Sequence, residues 1–420
     1  YCFWSSVIFS SIEGLSPNSL NADSLINISN YYYANIFFNY TLHNLTKLLM
    51  KEYLDFNATT PVYEESVAEI KKYLDVDFGN AGSRTHQSGL DAKKAITAAR
   101  NTFASYLDAE TSEIVFTSGA TESNNLALFG LLDEARKLGK NHIISTEIEH
   151  KAVLDPLNEI AKQGFDVTLV SPNENGSIDS KAIVDQITDK TFLVSCMHVN
   201  NETGVINPIE DIAVSIKSTN PDIYFHSDCA QSFGKTSLSM NNKNIDLLSF
   251  SAHKFHGPKG IGGLVMRKRN DISLPLKPLM FGGGQERGVR PGTLPVALIA
   301  GMAKSLEISI KNQEKWEARC KEIKSIALNS FKDLDHKIYG TTDENTLPST
   351  LSIAFADLDA EAVILSLKEH AEISTGSACT SDSYTPSHVI SSMGASDIEA
   401  QRVVRFSWSS QTNPEVFEGI

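Results

Sequence analysis

Between residues 113 and 267, apolar runs of strand length alternate with helix-length amphipathic segments, and this alternation restricts the chain to few architectures. Candidate strands fall at 113–117, 142–146, 167–171, 192–198, 223–227, 247–251 and 263–267; helical segments between them include 121–138, 151–163 and 180–187. Strands joined by helical crossovers pair in parallel, and a parallel sheet is covered by helices on both faces. The expectation is therefore an α/β fold built on a large, mostly parallel seven-stranded sheet. Ligands of such sheets bind at the carboxyl ends of the strands. Residues that directly follow the apolar runs are the first place to look for chemistry.

Beyond this region the pattern changes. A Gly-rich stretch at 282–292 reads as a loop, followed by long helices at 294–312 and 314–333, a strand at 349–355 and a helix at 361–370. A chain of 420 residues exceeds what one core usually serves. The expected organisation is a large domain at 65–299 and a smaller α+β domain made from 50–64 and 300–420, with what reads as a helix start at Pro414. Residues 1–49 are rich in Ser, Asn, Tyr, Ile and Phe and have no Lys or Arg before Lys47, which does not suit a presequence. With Met50 as the natural start, this segment is expected to be a disordered or non-native extension.

A net charge of -14 disfavours direct partnership with nucleic acid or an anionic membrane. The five cysteines, Cys2, Cys196, Cys229, Cys320 and Cys379, are scattered, with no paired spacing and no histidine at metal-ligand spacing. Neither a disulfide framework nor a metal site is expected. A reducing compartment, the cytoplasm, fits this usage. No apolar run approaches the ~20 residues of a spanning helix.

Three strand-end motifs could carry chemistry. Thr117-Ser118-Gly119-Ala120-Thr121-Glu122-Ser123-Asn124 follows a strand and opens a helix, where free backbone amides and hydroxyls suit a phosphate, although a plain helix cap looks the same. Asp228 ends an apolar strand and could pair with a protonated cofactor ring nitrogen, or could simply cap a helix. Lys254, in Ser251-Ala252-His253-Lys254-Phe255-His256-Gly257-Pro258, ends the next strand, where burial suits an amine for Schiff-base chemistry; a surface lysine is the bland alternative. Each signal is weak alone. Their occurrence in this order is hard to explain separately.

With these stretches, and with Asn57-Ala58-Thr59-Thr60-Pro61, Glu149-His150-Lys151, Asn200-Asn201-Glu202, the loop ending at Pro295, Ser374 to Ser381 and Arg405-Phe406-Ser407, the chain resembles the class V aminotransferase-fold enzymes, and among them the cysteine desulfurases of iron–sulfur cluster assembly. The resemblance runs from about residue 53 to 408 and leaves 1–49 without a counterpart; it also implies further residues after the Arg405 strand, so the small domain is expected to be C-terminally truncated. It implies pyridoxal 5'-phosphate as cofactor on fold type I. Lys254 would hold it, Asp228 would face the ring nitrogen, Gln231 the ring hydroxyl, and His150 would stack on the ring. Thr121, Ser251 and His253 would bind the phosphate, with Gly119 and Ala120 supplying backbone. Asn201 and Asn57 would flank the substrate, and Arg405 would clamp its carboxylate unless it pairs with a structural acid. Thr293 would reach the cofactor phosphate of a neighbouring subunit, which implies a homodimer.

Cys379 lies among Ser, Thr, Gly and Ala, without apolar neighbours to pack against, so a reactive thiol is the favoured reading. It would take sulfur from L-cysteine and pass the resulting persulfide to an iron–sulfur scaffold or another acceptor, tRNA thiolation included. A selenocysteine lyase or an aminotransferase on the same scaffold is the nearest alternative, and a non-catalytic assembly subunit the more distant one.

Overall fold

All seven candidate strands are present, in one sheet. A computed structural model describes residues 51–376 and 386–419. In chain order its strands are β1 (Glu52–Tyr53), β2 (Ile114–Thr117), β3 (His142–Thr146), β4 (Asp166–Val170), β5 (Thr191–Ser195), β6 (Tyr224–Asp228), β7 (Leu247–Ser251), β8 (Gly262–Met266), β9 (His336–Tyr339), β10 (Thr350–Phe355), β11 (Ala371–Glu372) and β12 (Val403–Ser407). The large sheet has the order β2-β8-β7-β6-β5-β3-β4. From β4 to β7 every pairing is parallel, and only β8 runs against its two neighbours. From β3 the chain moves outward to β4 and then returns to the other side as β5, so the strand order reverses between β3 and β5. A crevice for ligand opens at such a reversal.

Both faces of this sheet are covered, which is why its strands read as continuous apolar runs. Ile114 and Phe116 of β2 enter one core and Val115 the other; Leu248 and Leu247 of β7 divide in the same way. The first core is centred on Phe103, Phe233 and Phe250, whose rings stack at 4.1 Å (Phe233 with Phe250) and 5.1 Å (Phe103 with Phe250). A third apolar cluster, with Leu54, Phe331, Ile353, Phe406 and Trp408, packs on the antiparallel sheet β12-β10-β9. Among the described residues no helix is long and apolar enough to cross a membrane.

One expectation fails in an instructive way. The helices expected at 294–312 and 314–333 are a single 36-residue helix, Val296–Phe331. The junction at Asn312 and Gln313 contains neither Pro nor Gly to break it. Just beyond, Glu317 pairs with Lys321 and Arg319 with Glu322 at helical spacing. Conversely the segment expected at 121–138 is interrupted at Leu131, giving Ala120–Gly130 and Leu132–Lys137.

The edge of the β6–β7 pair is secured by Asp246, which is 1% exposed. Its carboxylate takes Lys217 at 2.7 Å, Arg269 at 2.6 Å and the Phe225 amide at 2.7 Å. Removing the carboxylate strands two half-buried cations, so Asp246→Ala is expected to cost about 3–5 kcal/mol of stability, read as a lower urea midpoint.

Candidate active site

The strand ends at the sheet's reversal surround a cavity of about 260 Å³. Asn57, Ala120, Thr121, His150, Asn201, Asp228, Gln231, Ser251, His253, Lys254 and Arg405 all line it. Two of the remaining candidates lie elsewhere. Gly119 sits behind Ser251, where a Cβ would come 3.3 Å from the Ser251 Oγ. Thr293 is exposed and is not among the lining residues. Cys379 lies outside the described residues, as do residues 1–49.

Asp228 ends β6 and is 4% exposed. Its Oδ2 accepts from Asn124 Nδ2 at 2.6 Å and its Oδ1 from the Ala230 amide at 2.9 Å. The second bond caps a turn and not a helix, since among the described residues no helix lies between β6 and β7, and it leaves the carboxylate at the cavity wall. Asn124 had no assigned role from the sequence, although it stands in the strand-end motif; its signal is a buried polar residue on the sheet-facing side of the helix Ala120–Gly130.

Lys254 closes a short 3-10 turn directly after β7. Its Nζ donates to the carbonyls of Asn57 at 2.6 Å and Ala58 at 2.9 Å, tying the N-terminal segment to the large sheet. The same segment is held by Gln231 Nε2 on the Asn57 carbonyl at 2.8 Å and by His253 Nδ1 beside Thr59 Oγ1 at 3.2 Å. The helix Ala120–Gly130 begins at the cavity, which Ala120 and Thr121 of its first turn line together with Ser251, and the free amides of a helix start attract an anion.

His150 has two placements at once. It caps the helix Lys151–Ala161 by accepting the Ala152 amide on Nδ1 at 3.0 Å, and its ring also lines the cavity. The accepted bond leaves Nε2 to carry the proton of a neutral ring. Burial lowers its pKa, Asp228 opposes that and Lys254 adds to it. Beside it the buried Glu149 carboxyl is pushed up to about 8 by burial, although the Met197 amide and Thr146 hydroxyl donate to it.

Arg405 is 2% exposed and does pair with a structural acid, Asp55, at 2.5 Å. It also donates to the Asn201 carbonyl at 2.9 Å and Ser374 Oγ at 2.9 Å, while its buried Nε has no partner among the described residues. Asp55 was missed because its partner lies far along the sequence.

Residues 52–415 match the aminotransferase class-V family. The cysteine desulfurase IscS of Salmonella arizonae is 42% identical over 365 residues, 86% of this chain and 89% of that one. The cysteine desulfurase IscS of Buchnera aphidicola is 43% identical over 366 residues with the same coverage. Among solved structures, a NifS-like protein superposes with a TM-score of 0.81 at 34% identity, covering 88% of this chain and 97% of that one. SspA in complex with cysteine gives 0.75 at 37% identity, covering 86% and 100%.

Burial pushes His198, His226, His253 and His256 down to about 4. In the unfolded chain each titrates near ~6.5, so between these values the unfolded state binds more protons. Their contribution is complete above the unfolded value and is lost as pH falls toward 4. Glu149 acts in the opposite sense between ~4.3 and 8, and the buried Glu202 carboxyl, which burial also raises, acts with it, two carboxyls against four imidazoles. Melting temperature is therefore expected to fall steeply between pH 6.5 and 4, with the His226 ring still neutral by NMR in the folded protein at pH 5.

Proposed function

The chain belongs to the aminotransferase class-V family, and on that premise we propose that it is a cysteine desulfurase, converting L-cysteine to L-alanine and loading the sulfur on its own Cys379 for iron–sulfur cluster assembly. The observation that carries this reading is the convergence of Lys254, Asp228, His150 and Arg405 on one cavity at the strand ends.

The donors there fit pyridoxal 5'-phosphate. The helix start at Gly119 and Ala120, with Thr121, Ser251 and His253, suits a dianionic phosphate, and the missing Cβ of Gly119 leaves room against Ser251. The anchored Asp228 suits a protonated ring nitrogen, Gln231 the ring hydroxyl, His150 the ring face and Lys254 the covalent link. Bound there, the cofactor supplies an electron sink for charge left at the substrate Cα.

The protein's own groups do the rest. Lys254 takes the Cα proton of cysteine. The unpartnered Nε of Arg405 leaves a donor for the substrate carboxylate, and Asn57 and Asn201 flank the substrate. The Cys379 thiolate attacks the cysteine sulfur: an S–S bond forms as the Cβ–S bond breaks, and the bonding pair passes to the carbon skeleton. A proton equivalent to the one lost from the substrate thiol is taken up at Cβ, Lys254 returns its proton to Cα, and alanine leaves with the persulfide held on Cys379.

The same proposal places the enzyme in the cytoplasm as a homodimer that hands sulfur to protein acceptors, an iron–sulfur scaffold first and a tRNA-thiolation protein second. The free, buried Cys196, Cys229 and Cys320 are in keeping with a reducing compartment. The exposed Thr293 is available to a neighbouring subunit. An apolar cluster drawn wholly from Leu54 and residues 320–417 supports a separate small domain of 50–64 and 300–420 beside a large one of 65–299.

Two variants test the assignment together. Lys254→Ala is expected to lose the borohydride-fixed cofactor and to lower alanine production by at least ~10²-fold. Cys379→Ala is expected to retain cofactor and bind cysteine yet form neither persulfide nor alanine. Alanine release at the parent rate from Cys379→Ala would remove Cys379 as acceptor and favour the lyase or aminotransferase reading.

A further inference from the structure

A second and larger cavity, of about 570 Å³, lies away from the strand ends. One wall is the long helix Val296–Phe331, which turns Gln313, Glu317, Lys321, Lys324 and Leu328 toward it at intervals of three or four residues. The other walls are the loop from Thr342 to Pro348 and the turn at Lys235.

Lys324 sets this cavity apart. It is 5% exposed, and its Nζ is fully buried with no hydrogen-bond partner among the described residues. An isolated buried ammonium costs several kcal/mol unless a counter-charge meets it. The nearby acids do not serve. Glu317 is taken by Lys321 at 2.6 Å. Asp343 accepts from Thr341 Oγ1 at 2.6 Å and from the Asn345 amide at 2.9 Å, lies on the exposed rim and makes no ion pair with Lys324. Glu344 is exposed beside it, where solvent screens its charge. Lys235, another of the three lysines in the lining, has a neutral partner, Gln231 Oε1, at 3.1 Å. The remaining lining includes Thr236, Ser237, Ser325 and Gln313, hydrogen-bonding groups that suit a polar ligand.

We propose that this cavity is a binding site for a small oxyanion, a carboxylate or a phosphate monoester, whose charged group pairs with Lys324. The volume lies in the range of small-molecule sites. Burial lowers the Lys324 pKa to about 8, with Asp343 partly opposing, so an arriving anion has a measurable protonation equilibrium to shift. Through Lys235 and Gln231 the cavity is one hydrogen bond from the wall of the candidate active site.

The test uses the cofactor-loaded enzyme carrying ¹³Cε-labelled lysine, titrated in pH at constant ionic strength with chloride, inorganic phosphate or citrate. The Lys324 resonance is identified by its loss in Lys324→Met, which exchanges the ammonium for an apolar side chain of similar length. Phosphate or citrate is expected to raise the Lys324 midpoint by about one pH unit, equivalent to about tenfold in binding. The effective anion identifies the ligand's head group. A midpoint unchanged by either anion overturns the proposal. Melting temperature supplies a second readout: the rise produced by the anion is expected in the parent and absent in Lys324→Met, and its full retention in the variant places the anion elsewhere and overturns the assignment. Both readouts are independent of whether the enzyme desulfurates cysteine.

Discussion

The carboxylate of Asp228, buried at the end of β6 and held from both sides, is the fixed point about which the rest of the site is arranged. A lone carboxylate at that depth would be expelled or protonated. Asn124 of the covering helix Ala120–Gly130 and the Ala230 amide of the turn that follows β6 each give it a hydrogen bond. Asp228 also registers against Ser249 of β7. The β6–β7 pairing therefore sets how far Asp228 lies from Lys254, five residues on along the neighbouring strand and its following turn. A shift of one residue in that register would invert every side chain of β7 between the two cores, which makes the packing of Leu247, Leu248 and Phe250 the guarantor of the site's geometry.

The segment from Asp55 to Thr60 supplies the other half of the frame. It carries no regular structure, yet almost every polar group in it is engaged by a residue about 150 to 350 positions away: Asn57 with Thr350 and the Ser407 hydroxyl, Thr60 with the His253 carbonyl, Asp55 with Arg405. These bonds join β12 of the small sheet to the turn that carries Lys254. The lysine and the arginine at the cavity are thus placed by one short strap of backbone.

Charge in the interior is kept low by the same burial that builds the cores. His226 bridges β5 and β7 as a neutral ring, between the hydroxyls of Ser195 and Ser249 at 2.9 Å each. A protonated ring there would offer two donors to hydroxyls that can both accept, but burial disfavours the charge more than the bonds could return. Of the ionised groups left in the interior, Asp246 and Arg405 are ion-paired and Asp228 is held by neutral donors, whereas the Lys324 Nζ has no partner among the described residues and marks the second cavity.

The sequence by itself determined the elements of the large sheet and which residues stand at its strand ends. Strands buried on both faces must be apolar throughout, and that pattern is local: β3 and β7 coincide with the runs read at 142–146 and 247–251, and the others differ by a few residues at their ends. The cavity residues were legible because Thr121, Asp228 and Lys254 each follow such a run directly, and the family resemblance extended them to His150, Gln231 and Arg405. Tertiary structure alone decided the strand order, the antiparallel placement of β8, and the union of two expected helices into one. It alone brought Asn124 to Asp228 and Asp55 to Arg405, and left the Lys324 ammonium unpaired beside a cavity. Those contacts join residues about 100 to 350 positions apart, and which distant polar groups meet is set by how the layers pack, a property no local pattern of side chains carries.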